Sequence, residues 1–275
     1  MALRESGRAA ASDGGDFDVE VAGLSKVYDL ARGGRVVALE GIDLRVNRGE
    51  FVSLLGPSGC GKSTLLQVMA GLTTATSGVV MIEGRRVQRP QSQVGLVFQS
   101  PVLLEWRTAL KNVLLQAEAR GLERTKATED AMRLLAQVGL KGFEDKRPYE
   151  LSGGMQQRVS ICRALLHDPR LVLMDEPFGA LDAITRDQMA VDLQGLWTTG
   201  AKTVVFVTHS VEEAAFLSDR VLVMSARPGR IIAEVEVELP RPRRLRMRSS
   251  PEFLRYTAEI RDALAATGVI RESDE

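Results

Sequence analysis

From Phe17 onward, short continuous apolar runs alternate with longer stretches whose apolar positions recur at helical spacing, the pattern of an α/β fold. The runs predict strands at 17–23, 36–46, 50–56, 78–84 and 94–99, then again at 171–176, 203–209, 220–226 and 230–239. The interior ones are short, unbroken and rich in β-branched residues, as strands covered on both faces are. A helix is predicted over 62–72. Between about Ser100 and Arg163 the strand signal vanishes, and helical patterns replace it at 109–122, 125–140 and 156–168. The simplest arrangement is a helical subdomain of about residues 100–163 inserted into one sheet-based domain spanning 17–240. No internal repeat points to a second such domain.

The two ends read differently. Residues 1–16 are small and polar without a period, which predicts a disordered leader. After Leu239 comes PRPRRLRMR, with five arginines between Arg241 and Arg248, followed by a helical pattern over 251–268. The segment 241–275 is therefore expected to be a basic, solvated linker and a helix. Contact of the arginines with anionic headgroups is the alternative. Nucleic acid is set aside because no aromatic residues interleave with the basic ones.

Composition narrows the compartment more than the chemistry. At 44% apolar and 26% charged, the chain resembles an ordinary soluble globular protein. Its 36 basic side chains balance 36 acidic ones, so no global field favours a nucleic-acid partner. No run approaches the 18 or so apolar residues that cross a bilayer, and MALRESGRAAASDGG lacks the apolar centre of a secretion signal. A cytoplasmic protein is expected, meeting a membrane only through a partner or its surface. Cys60 and Cys162 are read as free thiols.

The candidate chemistry begins at GPSGCGKST: Gly56, Pro57, Ser58, Gly59, Cys60, Gly61, Lys62, Ser63 and Thr64. A strand leads in and a helix leads out, so the loop can curl its amides around a phosphate at a helix N-terminus. Lys62 is placed to reach the β- and γ-phosphates of a nucleotide, and Ser63 to ligate Mg²⁺. Cys60 fills a position that demands no thiol chemistry. Asp175 ends the apolar strand of LVLMDEP, where α/β sheets bind ligands, and suits a hard cation. Strand alternation would turn Glu176 away from it, towards an attacking water as general base. A second anion cradle, LSGGMQQR, then follows 95 residues behind the first: Ser152 as helix cap, and Gly153 and Gly154 admitting close backbone approach.

Taken together these motifs resemble the ATP-binding cassette (ABC) ATPases: GPSGCGKST is similar to the Walker A loop, LSGGMQQR to the signature and LVLMDEP to the Walker B strand. FQS around Gln99 resembles the Q-loop, Ala180–Asp182 the D-loop, and His209 the switch histidine. The resemblance implies a P-loop fold with a mixed nucleotide-binding sheet, an antiparallel β subdomain and the inserted helices. It implies ATP and Mg²⁺ as ligands, and a head-to-tail pair in which LSGGMQQR serves the partner's γ-phosphate. It further implies that Gln99 contacts Mg²⁺ and the attacking water, and that His209 holds the γ-phosphate. Asp182 would cross the interface, and Tyr28 would stack on adenine.

PFGALDAITR, RPGRI and LPRPR resemble bacterial importer subunits of the nitrate, sulfonate and taurine branch, with one departure. Glu105 in LLEWRT stands where related importers carry proline. The implied protein is an ATPase subunit at the cytoplasmic face of the cell membrane, working as a homodimer on integral permease subunits. An extracytoplasmic solute-binding protein would supply the solute. An exporter ATPase, or an ABC ATPase acting on DNA or the ribosome, is the alternative reading. The solute itself is not encoded.

Overall fold

Two sheets organise the chain in the computed structural model, which describes residues 17–30, 33–198 and 202–266. The predicted leader 1–16 lies outside the described residues. Strands β1 (Phe17–Asp29) and β2 (Arg35–Asn47) form a long antiparallel ribbon. Strand β3 (Phe51–Leu55) then runs into the glycine-rich loop and helix α1 (Lys62–Met69). β4 (Ser77–Ile82) and the two-residue β5 (Arg85–Arg86) return to the ribbon, giving an antiparallel sheet of order β2-β1-β4-β5.

β6 (Val94–Val97) leads into the helical insertion: α2 (Ala109–Val113), α3 (Leu115–Arg120), α4 (Arg124–Gln137) and α5 (Gly153–Leu165). β7 (Leu171–Asp175), α6 (Ala183–Thr198), β8 (Thr203–Thr208), α7 (Val211–Leu217), β9 (Arg220–Met224), β10 (Ile231–Glu236) and α8 (Pro251–Ala265) complete the chain. The second sheet has the order β10-β9-β3-β8-β7-β6, parallel except for β10. The phosphate-loop strand β3 is thus interior to it.

Alternation along the parallel strands builds two cores, one on each face of this sheet. Phe51, Val172, Met174, Val204 and Phe206 face the helical insertion and α7. Val52, Leu54, Leu171, Leu173, Val205 and Val207 face α1 and the antiparallel sheet. Phe178, Phe206, Phe51 and Trp197 form an aromatic chain with centroids 5.4–5.7 Å apart. Full burial of each such side chain contributes roughly 1.5–3 kcal/mol, so strands that read as unbroken apolar runs are anchored twice.

Beyond shifted element ends, four departures from the sequence reading stand out. The helix expected over 109–122 is divided at Leu114 into α2 and α3, with no proline or glycine to signal it. The strand expected to reach residue 99 ends at Val97, leaving Gln99 in the loop beyond it. Helices α6 and α7 have no counterpart in the expected elements. α7 is too short to display a period, and α6 mixes an 84%-exposed Ile184 with a buried Gln194.

The fourth departure is the arginine segment, part of which turns inward instead of into solvent. Arg243 is 2% exposed, and its guanidinium donates to the carbonyls of Ala215, Phe216 and Ser218 at the end of α7 and to those of Val237 and Leu239. Arg241 pairs with Asp219 at 2.6 Å and lies 4.0 Å from the Trp197 ring centroid. Arg248 pairs with Asp187 and covers the Phe216 ring. Five last-turn and strand-end carbonyls needed donors, and a planar fork of N–H groups supplies them.

Candidate functional site

The phosphate loop leaves β3 and enters α1 through Gly61, whose φ of 110° and contact with β2 both exclude a side chain. A Cβ there would lie 2.7 Å from Leu39 Cδ2 and 2.8 Å from the Ala38 carbonyl. Lys62 is 4% exposed, and its ammonium donates to the carbonyls of Gly56 at 2.8 Å and Pro57 at 3.0 Å. An arriving phosphate would exchange those neutral acceptors for charged ones.

Opposite the loop, Ser63 Oγ donates to Asp175 Oδ1 at 2.8 Å. Burial raises the Asp175 carboxyl above its usual range, against the lowering effect of Ser63. A half-buried carboxylate held beside a hydroxyl is matched to a hard cation, so the donor set fits Mg²⁺. Among the described residues no cluster of three acidic, histidine or cysteine side chains could hold a metal unaided.

Glu176 is the point of convergence. Lys62 Nζ lies 3.9 Å from its Oε1, Gln99 Nε2 donates to its Oε2 at 3.4 Å, and His209 Nδ1 sits 3.3 Å from the same oxygen. Strand alternation does not aim it, contrary to the sequence reading: β7 ends at Asp175, and Glu176 has a φ of 42°. A left-handed conformation at a non-glycine residue costs of order 1–3 kcal/mol. Its amide, donating to the Val207 carbonyl, holds it in place.

The second cradle lies at the start of α5. Ser152 caps the helix by accepting from the Met155 amide at 3.3 Å. The two glycines there have different reasons. A Cβ on Gly154 would meet Thr185 Cγ2 at 2.7 Å, whereas one on Gly153 would meet nothing within 4 Å. Gly154 therefore packs the helix onto the start of α6, and Gly153 is the position open to an outside group. Asp182 is exposed and caps α6, accepting from the Thr185 amide and hydroxyl, bonds that lower its carboxyl pKa. Tyr28 sits near the end of β1, 36% exposed, with the Lys26 ammonium 4.7 Å from its ring centroid.

Several residues that join these parts were not singled out from the sequence. Gln157, one turn into α5, donates to the Phe98 carbonyl beside Gln99 and so ties the start of α5 to the loop after β6. Asn112 is fully buried and holds the loop at 104–108 through Leu104, Arg107 and Thr108. Arg186 donates to the Leu181 carbonyl and pairs with buried Glu213 at 3.4 Å. Glu213 accepts from Thr208 Oγ1 at 2.6 Å, next to His209. In the sequence Glu213 looks like any acidic residue in a first helical turn, so nothing there distinguishes it.

Comparison with known proteins points to one family for the chain. The family model described as ABC transporter matches residues 39–179. An uncharacterized ABC transporter ATP-binding protein of Methanocaldococcus jannaschii is 50% identical over 246 residues, covering 90% of this chain and 91% of its own. The taurine import ATP-binding protein TauB of Rhizobium johnstonii is 44% identical, over 90% of this chain and 97% of its own. Among solved structures, the ATP-binding cassette MJ0796, a dimer in a post-hydrolysis state bound to ADP and Pi, superposes with a TM-score of 0.71. It is 32% identical and covers 81% of this chain and all of its own.

Proposed function

The chain belongs to the ABC transporter ATP-binding family, and from that premise we propose that it hydrolyses ATP to drive a small solute inward through a separate membrane permease. The observation that carries the chemical part is the meeting of Lys62, Gln99 and His209 on the Glu176 carboxylate. In this reading Lys62 and the loop amides hold the β- and γ-phosphates. Glu176 accepts a proton from the attacking water, Gln99 orients that water, and His209 steadies the γ-phosphate oxygens. Ser63 and Asp175 would hold Mg²⁺, which neutralises charge on the phosphates.

Two copies complete the site. Ser152 and Gly153 are both exposed. Their helix start is offered to a partner's γ-phosphate, with Asp182 and Ile184 flanking the contact. The similarity to an import protein from Rhizobium favours import of a taurine-like, nitrate-like or related small solute. Among the described residues no helix is long and apolar enough to cross a membrane. In this reading the permease is a separate chain, docking from the cytoplasmic face. A groove of about 590 Å³ lined by Trp106, Arg107, Leu114, Glu118 and Leu122 is the surface offered to it, beside the divergent LLEWRT loop.

The shared site has a direct test in Ser152→Arg. A guanidinium at the helix start blocks the partner's phosphate while leaving the chain's own phosphate loop untouched. ATP hydrolysis should fall at least a hundredfold, while Mg-ATP binding by the isolated chain stays within about twofold. Hydrolysis retained at the wild-type rate would show that the second cradle is not part of the reacting site.

A further inference from the structure

The string RPGRI serves the sequence reading only as a mark of kinship, yet the structure gives it a place in the nucleotide site. The turn between β9 and β10 is closed by Ser225, whose hydroxyl donates to the Pro228 carbonyl and accepts from the Arg230 amide. This turn lies against the phosphate loop. Arg227 Nε and Nη2 both donate to the Gly59 carbonyl, at 3.2 and 2.9 Å. Two residues on, Gly229 bridges to β2: its amide donates to the Ala38 carbonyl, and its carbonyl accepts from the Glu40 amide. A Cβ on Gly229 would fall 2.1 Å from the Cys60 carbonyl oxygen, a distance that backbone must move to relieve. The turn therefore wedges between the loop at Gly59–Cys60 and β2, the strand paired with β1 and its Tyr28.

We propose that Arg227 and Gly229 are positioning residues for nucleotide binding, setting the orientation of the Gly59–Cys60 peptide and the seat of the phosphate loop on β2. The proposal rests on the reading of this loop as the ATP site. In a trans peptide the carbonyl and the following N–H point in opposite directions. A cation holding the Gly59 oxygen from outside thus turns the Cys60 N–H inward, where it meets the Pro57 carbonyl at 3.3 Å. The same cation polarises that peptide, making the inward N–H a better donor to an anion. Among the described residues Arg227 has no carboxylate partner, whereas Arg230 on the same turn pairs with Glu40 at 2.6 Å. Its charge is therefore left to the loop and to whatever polyanion the loop receives.

The test is Mg-ATP affinity, measured by calorimetry on wild type, Arg227→Ala, Arg227→Lys, Arg227→Met and Arg230→Ala, with thermal melting of each nucleotide-free protein. Arg227→Ala should weaken Mg-ATP binding about tenfold, with the loss appearing in Kd and KM rather than in turnover at saturation. Arg227→Lys keeps a cationic donor and should recover most of the affinity. Arg227→Met keeps only the packing and should behave like Arg227→Ala, and Arg230→Ala should stay within about twofold of wild type. Gly229→Ala should weaken binding more than any of these. Wild-type affinity in Arg227→Ala, or its recovery in Arg227→Met, would overturn the proposal alone. A wild type that binds no Mg-ATP would overturn the nucleotide reading and this inference with it.

Discussion

Replacing Glu176 with Gln should lower ATP turnover by about 10²–10⁴-fold and trap the chain as a pair in Mg-ATP. The amide keeps the shape of the side chain and its reach to Gln99 and His209, but it cannot accept a proton from water. Nucleotide binding should persist, because Lys62 and the loop carbonyls it bonds are untouched. Removing the negative charge 3.9 Å from Lys62 also leaves that ammonium freer for phosphate. Light scattering should then report twice the 30.0 kDa chain mass with Mg-ATP and the single mass with Mg-ADP. Turnover at the wild-type rate would remove Glu176 from the role of base. A monomer in both nucleotides would mean that two copies do not close on their own.

Arg243→Ala should be the most damaging change outside the nucleotide site. It strips the donors from five carbonyls, three of them at the end of α7, and leaves a cavity the size of a long side chain. Leaving a buried carbonyl without its donor costs about 1–3 kcal/mol, and several at once are enough to consume much of a domain's stability. Denaturant titration should show that loss. Arg244→Ala, at an exposed position next door, should shift stability by no more than about 0.5 kcal/mol. Arg243→Met would restore part of the packing but none of the donors, and should fall between the two. Equal effects at 243 and 244 would show that the hydrogen bonds to α7 contribute nothing.

These two residues also mark how far the chain could be read before its structure. The strings Gly56 to Thr64 and Asp175–Glu176 could be picked out because each is contiguous, and the fold does place each at the end of a parallel strand. The parallel strands were legible because burial on both faces leaves no polar position to blur the run. Arg243 was not, since an arginine among arginines carries no mark of which one turns inward; that depends on open carbonyls contributed by residues 215, 216, 218, 237 and 239. Glu213 and Arg186 were hidden for the same reason, each being ordinary until the other is brought beside it. Gly153 and Gly154 looked equivalent in sequence, and only the approach of Thr185 separates packing from access. The turn of Glu176 into its left-handed conformation leaves no trace in residue type, although it decides where the carboxylate points.

The burial of both thiols has a practical side. Cys60 is 1% exposed and Cys162 fully buried, and burial raises both thiol pKa values, so neither offers much thiolate at neutral pH. A maleimide spin label or fluorophore should therefore leave the natural chain almost unmodified. One cysteine engineered at an exposed position, such as 184 beside Asp182, would be labelled selectively without first removing the native pair. The proposed pairing of two copies could then be tested as an interprobe distance, in a protein whose phosphate loop keeps its own sequence.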